Sequence, residues 1–216
     1  MSQSPLIEAL PPLQRLALAY APAPVRQPWL AMLALDVRLA SILRSSREPM
    51  LAQLRFAWWR EQLASGAGAV RSGDPLLAVL ASWPAGPSAL RNLVDGWEAM
   101  TGDAPLPKAA YQALAEARAG AFAALAGSPD GAADALRMGR NWALADIAAG
   151  LSDPTECRDA LDLARAQDWR QARLPRALRP LAILHGLAAR GMRRNGSAAV
   201  SPAAMLTAIR IGLLGR

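Results

Sequence analysis

Apolar residues recur along this chain at intervals of three and four, which is the spacing of one face of an α-helix. In the stretch 25–43, for example, Leu30, Leu33, Val37 and Ala40 fall on one stripe. No segment sustains the apolar–polar alternation of a strand, so we expect no sheet. Proline and glycine mark the segment ends and predict helices over 12–20, 25–43, 46–64, 74–82, 88–99, 108–126, 130–149, 154–173, 176–192 and 201–214.

Length and composition fit a single domain over residues 1–216. Hydrophobic residues make up 53% of the chain, which is enough to bury a core. Alanine and leucine dominate, while β-branched and aromatic residues are sparse, and this balance favours helix. The N-terminus lacks the basic and apolar regions of a signal peptide, and the apolar run 29–43 is too short to span a bilayer. The expected location is the cytoplasm.

Two residue counts exclude whole classes of site. Cys157 is the one cysteine, so the chain has no internal disulfide and no cysteine-based zinc cluster. His185 is the one histidine, so any triad hydrolase would have to use it. It precedes a glycine on an arginine-rich helix with no evident nucleophile nearby, and we interpret it as a packing residue.

Carboxylates are the first candidates for chemistry. Asp36 and Asp146 each lie in the middle of an apolar helical segment, where an unpaired acid is costly. Both are candidate magnesium ligands, because magnesium prefers carboxylate and phosphate oxygens. One turn later, however, stand Ala40 and Gly150, so each helix offers one acid where a magnesium site needs two. The alternative is that each aspartate pairs with a buried arginine, for example Arg38, Arg55 or Arg140.

The segment 46–64 carries a second set of candidates. Arg55 and Arg60 are candidate diphosphate-binding residues, since guanidinium groups suit phosphate oxygens, and Trp59 is a candidate wall of an apolar tunnel. The alternative is a structural role, in which Trp58 and Trp59 are core or boundary residues and Arg60 is a surface charge. The spacing of Leu51, Leu54 and Trp58 predicts that these three form the buried stripe of this helix, with Phe56 as a further candidate.

Positive charge is concentrated at the C-terminal end. Residues 1–157 sum to −1 and residues 158–216 to +8, within a net charge of +7. Arg190, Arg193 and Arg194 cluster at the end of one helix, and the segment 201–214 follows with an apolar stripe. We expect this region to contact an anionic membrane, peripherally at the inner membrane, or an acidic partner. The alternative is a solubilising face. No RNA-binding signature accompanies the arginines, so nucleic acid is not an expected partner.

Several segments together resemble the squalene/phytoene synthase family. They are AMLALDVRLA at 31–40, REPMLAQLRFAWWRE at 47–61, LAYAP at 18–22 followed by Arg26, and GRNWALADI at 139–147. The resemblance is most specific over 29–63. It implies an all-α, isoprenoid (terpenoid) synthase-like fold, a single helical bundle around a central cavity.

The same resemblance implies an activity and its ligands. Working members couple two prenyl diphosphates head to head, using magnesium held by two aspartate-rich motifs on opposite walls of the cavity. Asp36 falls where the first motif begins and Asp146 in the second. In each motif the partner acid is missing, with Ala40 and Gly150 in its place.

The sequence therefore predicts two alternatives. The first is a non-catalytic member that acts by binding, as an assembly or interaction factor that holds an isoprenoid or another lipid. It would belong to a branch that keeps the fold without the aspartate clusters, as a mitochondrial complex I assembly factor with a phytoene-synthase-like domain does. The second is an active prenyltransferase that uses Mg²⁺ in an unusual site.

Overall fold

The computed structural model describes residues 4–45, 48–65, 73–81, 83–127 and 129–193. Within these ranges it contains ten α-helices and no strand, so the predicted all-α class is confirmed. The helices are α1 (Ser4–Glu8), α2 (Pro12–Ala19), α3 (Ala23–Ser45), α4 (Pro49–Ser65), α5 (Pro75–Leu80), α6 (Arg91–Glu98), α7 (Lys108–Ala123), α8 (Ala132–Gly150), α9 (Pro154–Arg165) and α10 (Arg179–Arg193).

Large aromatic side chains join the main helices in one core. Trp29 of α3 stacks on Phe122 of α7, with ring centroids 5.2 Å apart, and Phe122 meets Trp142 of α8 edge to face at 5.3 Å. The indole N–H of Trp29 donates to the carbonyl of Ala177 at 2.8 Å. That bond ties α3 to the turn that leads into α10.

Small residues allow α7 to approach its neighbours closely. A Cβ at Gly139 of α8 would lie 3.0 Å from the Cα of Ala119, and one at Gly96 of α6 would lie 2.7 Å from the Cβ of Ala117. Neither position has room for a side chain. The close approach brings side chains of α6, α7 and α8 to a common point beside α3.

The ninth helix ends earlier than its sequence predicts. It stops at Arg165 rather than near 173. The indole N–H of Trp169 donates to the carbonyl of Ala164 at 2.8 Å, which satisfies one of the acceptors that a helix end leaves open. The chain then runs without regular structure to the 3₁₀ turn Arg176–Leu178.

The fourth helix buries a different face from the predicted one. Its core face consists of Ala52, Phe56, Trp59 and Leu63. Leu51, Leu54 and Trp58 are exposed, so the predicted stripe was wrong, and only its further candidate Phe56 is buried. Both sets have helical spacing, and periodicity alone could not choose between them.

No helix in the described part of the chain is long and apolar enough to cross a membrane. The predicted helix 201–214 lies outside the described residues. The arrangement of the bundle around a central cavity stays a prediction.

Candidate functional site

A buried arginine joins the two aspartates that the sequence singled out. Arg118 of α7 donates from Nε to Oδ1 of Asp36 at 2.9 Å and from Nη2 to Oδ2 at 2.8 Å. Its Nη1 donates to Oδ2 of Asp146 at 2.9 Å. One guanidinium thus binds a carboxylate from α3 and a carboxylate from α8, and three of its five N–H groups are used.

Aromatic rings complete the surroundings of this guanidinium. The Arg118 carbon Cζ lies 4.9 Å from the ring centre of Trp97 and 5.3 Å from that of Trp142. The indole N–H of Trp97 also donates to Oδ1 of Asp36 at 2.7 Å. Asp36 therefore accepts three hydrogen bonds, two of them from a guanidinium. These bonds offset the free-energy cost of burying its carboxylate.

The charges of the cluster are strongly coupled. Although burial disfavours a charged side chain, the carboxylates of Asp36 and Asp146 hold the pKa of Arg118 above its usual value. The guanidinium is therefore a permanent cation. Partial burial raises the pKa of Asp146, and the nearby Asp36 carboxylate raises it further, while Arg118 opposes both. With both acids ionised the cluster carries one net negative charge, and protonation of Asp146 makes it neutral.

Asp36 and Asp146 line the same cleft. This aspartate cleft has a volume of about 520 Å³ and lies between α2, α3, α6, α7 and α8. Asp36 is almost completely covered, whereas the Asp146 side chain keeps 39% of its surface exposed. Most of the other walls are apolar, with Leu10, Val37, Ala40, Leu43, Met100, Leu114, Ile147 and Leu151 among them.

A second cleft adjoins the first along α8. This α10 cleft, of about 360 Å³, is lined by Trp142, Leu161, Leu184, Leu187 and Met192, and it shares Asp146 and Ala149 with the aspartate cleft. Both volumes lie in the range of small-molecule sites.

One neutral polar group in the aspartate cleft lacks a partner. Gln14 of α2 is buried, and its Oε1 accepts no hydrogen bond from any residue that the structure describes. A buried amide oxygen without a donor costs free energy, on the order of 1–3 kcal/mol. A ligand that carries a hydroxyl or another donor would satisfy it.

The sequence identified the two acids but not the cation between them. The sequence suggests Arg38, Arg55 or Arg140 as a partner, but none of these binds Asp36 or Asp146. Nη1 of Arg38 lies 3.8 Å from Oδ2 of Asp74, and Arg140 pairs with Glu116. A signal for Arg118 existed, because it is a single cation in an otherwise small and apolar run at 117–122. An arginine is rarely buried unless an acid pairs with it, so this position indicates a buried acid nearby.

The other predicted residues lie away from these clefts. Arg60 is bound by Asp95 and Glu98 of α6, which raise its pKa despite partial burial. Arg55 and Trp59 line a separate groove with Arg38 and Trp58, and Arg55 donates to Ser45 Oγ at 3.0 Å. The structure does not bring these three residues to the aspartates, and their diphosphate role stays a prediction.

The C-terminal arginines are described only in part. Arg190 and Arg193 lie in the last turn of α10, with Arg193 exposed. Arg194 falls outside the described residues. Their contact with a membrane or an acidic partner stays a prediction.

The described residues do not fit a magnesium centre. The Arg118 guanidinium stands between the two carboxylates, and both Asp36 oxygens already accept its hydrogen bonds. Among the residues that the structure describes, no group of three or more acids, histidines or cysteines is placed to hold a metal ion. A cation is present at this point, but the protein itself supplies it.

Comparison of the chain with protein-family models, with curated protein sequences and with solved structures finds no match.

Proposed function

We propose that this chain is a squalene/phytoene synthase-like protein that does not catalyse condensation and instead acts by binding. It holds an isoprenoid or a similar lipid in the aspartate cleft and serves as an assembly or interaction factor. In this proposal the bundle surrounds a central cavity of the isoprenoid synthase type, and the aspartate cleft is that cavity. The observation that carries the proposal is the bridge from Asp36 through Arg118 to Asp146.

The bridge argues against diphosphate chemistry in this cleft. Ionisation of a prenyl diphosphate requires several positive charges around the leaving group. Here the buried guanidinium of Arg118 is matched by two carboxylates, and the exposed Arg44 is the other cation in the described lining, so the cleft offers no excess of positive charge to a diphosphate. The guanidinium of Arg118 already binds both aspartates.

The cleft suits an uncharged lipid better. Its apolar walls would gain from burial of a hydrocarbon chain, at roughly 25 cal/mol per Å². The free Oε1 of Gln14 and the half-exposed Asp146 could accept a hydrogen bond from a hydroxyl group. A prenyl alcohol has both features.

The test compares ligands of equal chain length with and without charge. Farnesol and farnesyl diphosphate are titrated by calorimetry into the protein, each with and without Mg²⁺. We expect farnesol to bind and the diphosphate to bind at least about tenfold more weakly, since the diphosphate loses hydration in a cleft whose described lining has no excess of positive charge to compensate it. Tighter binding of the diphosphate would contradict the proposal.

A variant that fills the cleft provides the control. Ala149 is exposed and lines both clefts, so Ala149→Trp should abolish farnesol binding without disturbing the core. Ala113 is also exposed, lies on α7 and lines neither cleft, so Ala113→Trp should bind farnesol as the parent protein does. Equal binding by both variants would place the lipid elsewhere.

The alternative of an active prenyltransferase has one observation in its favour, which is that both aspartates line a single cleft. Incubation with farnesyl or geranylgeranyl diphosphate and Mg²⁺ tests it directly. Our proposal expects little or no head-to-head product. Robust product that disappears in Asp36→Ala would establish the alternative.

A further inference from the structure

The fourth helix is apolar on two opposite sides. One side, formed by Ala52, Phe56, Trp59 and Leu63, packs into the core. The other side carries an exposed stripe of Met50, Leu51, Leu54 and Trp58, with exposed fractions of 70% at Met50, 62% at Leu54 and 44% at Trp58. We call this stripe the outer face of α4.

Exposure of this face needs an explanation. Among the described residues only Ile7 and Leu136 are other large hydrophobic side chains of comparable exposure, and they lie on different helices. Isolated exposed leucines are ordinary, but four large apolar side chains within three turns of one helix are not. A helix with apolar residues on two opposite sides normally has a partner on each of them.

Positive charge adjoins the outer face. Arg38 and Arg55 line a groove of about 320 Å³ together with Trp58 of the outer face, and Ser41, Ser45 and Asp74 also line it. Two arginines and one aspartate line the groove, and Nη1 of Arg38 lies 3.8 Å from Oδ2 of Asp74. Between residues 38 and 55 the sequence has four arginines and one acid, Glu48.

We infer that the outer face of α4 and the Arg38–Arg55 groove dock on an anionic lipid bilayer. Met50, Leu51 and Leu54 enter the boundary between headgroups and acyl chains, and Trp58 lies at headgroup level, where an indole is favoured. The groove takes a lipid phosphate, to which guanidinium and hydroxyl groups donate. Because arginines outnumber acids beside the outer face, we expect its partner to be an anionic lipid surface and not an uncharged protein helix. This surface is separate from the aspartate cleft, and the inference holds whether or not the cleft binds a lipid.

Flotation of the full-length protein with vesicles tests the inference. The vesicles are phosphatidylcholine alone or a three-to-one mixture of phosphatidylcholine and phosphatidylglycerol, each at low and high salt. We expect binding to the anionic vesicles that weakens at high salt. Leu54→Glu should lower the partition coefficient at least about tenfold, because it removes a leucine that enters the bilayer and adds repulsion between a carboxylate and the anionic lipid. Arg55→Gln should lower it about fivefold.

Leu136 of α8 provides the matched control, since it is an exposed leucine with no such stripe around it. Leu136→Glu should float as the parent protein does. Circular dichroism of each variant verifies that it remains folded. Absence of vesicle binding in all four conditions, or equal loss in Leu54→Glu and Leu136→Glu, would overturn the inference, and the first of these results would leave a protein as the partner of the outer face.

Discussion

Arg118 meets Asp36 through two parallel hydrogen bonds, Nε to Oδ1 at 2.9 Å and Nη2 to Oδ2 at 2.8 Å, across 82 residues of sequence. Both side chains are almost fully buried, at 4% and 2% exposure. Removal of one partner from such a pair leaves a buried charge without compensation. The pair therefore holds α3 against α7.

The first prediction concerns the stability of this pair. Arg118→Met should lower the free energy of unfolding by about 3–5 kcal/mol, because Asp36 is left buried without its counter-ion. Adding Asp36→Asn should recover part of that loss, since the amide oxygen still accepts the bond from Trp97. Urea denaturation of the single and double variants measures the coupling.

Arg140 serves as the control for that experiment. It pairs with Glu116 between the same two helices that Arg118 and Asp146 join, but at the surface, with side-chain exposures of 38% and 52%. Arg140→Met should cost less than about 1 kcal/mol. An equal loss of unfolding free energy in Arg118→Met and Arg140→Met would show that burial does not determine how much the Arg118 ion pairs stabilise the protein.

The second prediction tests whether the guanidinium stands where a metal ion would. In Arg118→Ala the two carboxylates lose their common cation, and Mn²⁺ should then raise the melting temperature. At ten times its dissociation constant the ion would add about 1.4 kcal/mol. The parent protein should not respond, and the response should vanish in the double variant with Asp146→Asn. A response of the parent protein to Mn²⁺ would contradict our account of the cleft.

The third prediction concerns the spacing of α7 and α8. A methyl group at Gly139 would meet the Cα of Ala119 at 3.0 Å, so Gly139→Ala should destabilise the protein by about 1–3 kcal/mol. A methyl group at Gly120 of α7 would meet no atom within 4 Å, and Gly120→Ala should stabilise by up to about 1 kcal/mol through helix propensity. Thermal denaturation shows whether each variant is less or more stable than the parent protein.

The fourth prediction concerns the C-terminal arginines. If they contact an anionic surface, Arg190→Gln combined with Arg193→Gln should weaken flotation with anionic vesicles about fivefold for each arginine. The effect should vanish at high salt. Unchanged flotation of the double variant would assign these arginines to a solubilising face.

Several features of the site followed from the sequence, for reasons specific to each residue. Asp36 and Asp146 were identified because an acid in an apolar helical segment must find a partner. Arg118 was missed because the pairing is entirely tertiary, and nothing near either aspartate in the sequence points to α7. The buried face of α4 was mistaken because Leu54 and Trp59 belong to stripes of equal period, and only the packing of α3 and α6 against the helix selects one.

The last prediction concerns the pH dependence of stability through His185. This side chain is completely buried on α10, where its ring stacks on Trp169 at 5.2 Å and its Nδ1 lies 2.9 Å from Oε1 of Gln171. Burial lowers the pKa of His185 to about 4, and the positive charges of Arg137 and Arg193 act in the same direction, whereas Asp168 opposes them.

A lowered pKa in the folded state means that the unfolded chain binds the proton more readily. Between the usual pKa of about 6.5 and the folded value of about 4, stability must therefore fall as the pH falls. The loss should reach about 3 kcal/mol at the lower end of that window and should be absent above it. In His185→Phe this contribution should be missing, so the free energy of unfolding should change less between pH 6.5 and pH 4 than in the parent protein. Urea denaturation at a series of pH values measures both slopes. Parallel pH profiles for the two proteins would mean that His185 does not titrate differently on folding, whatever the variant costs at neutral pH.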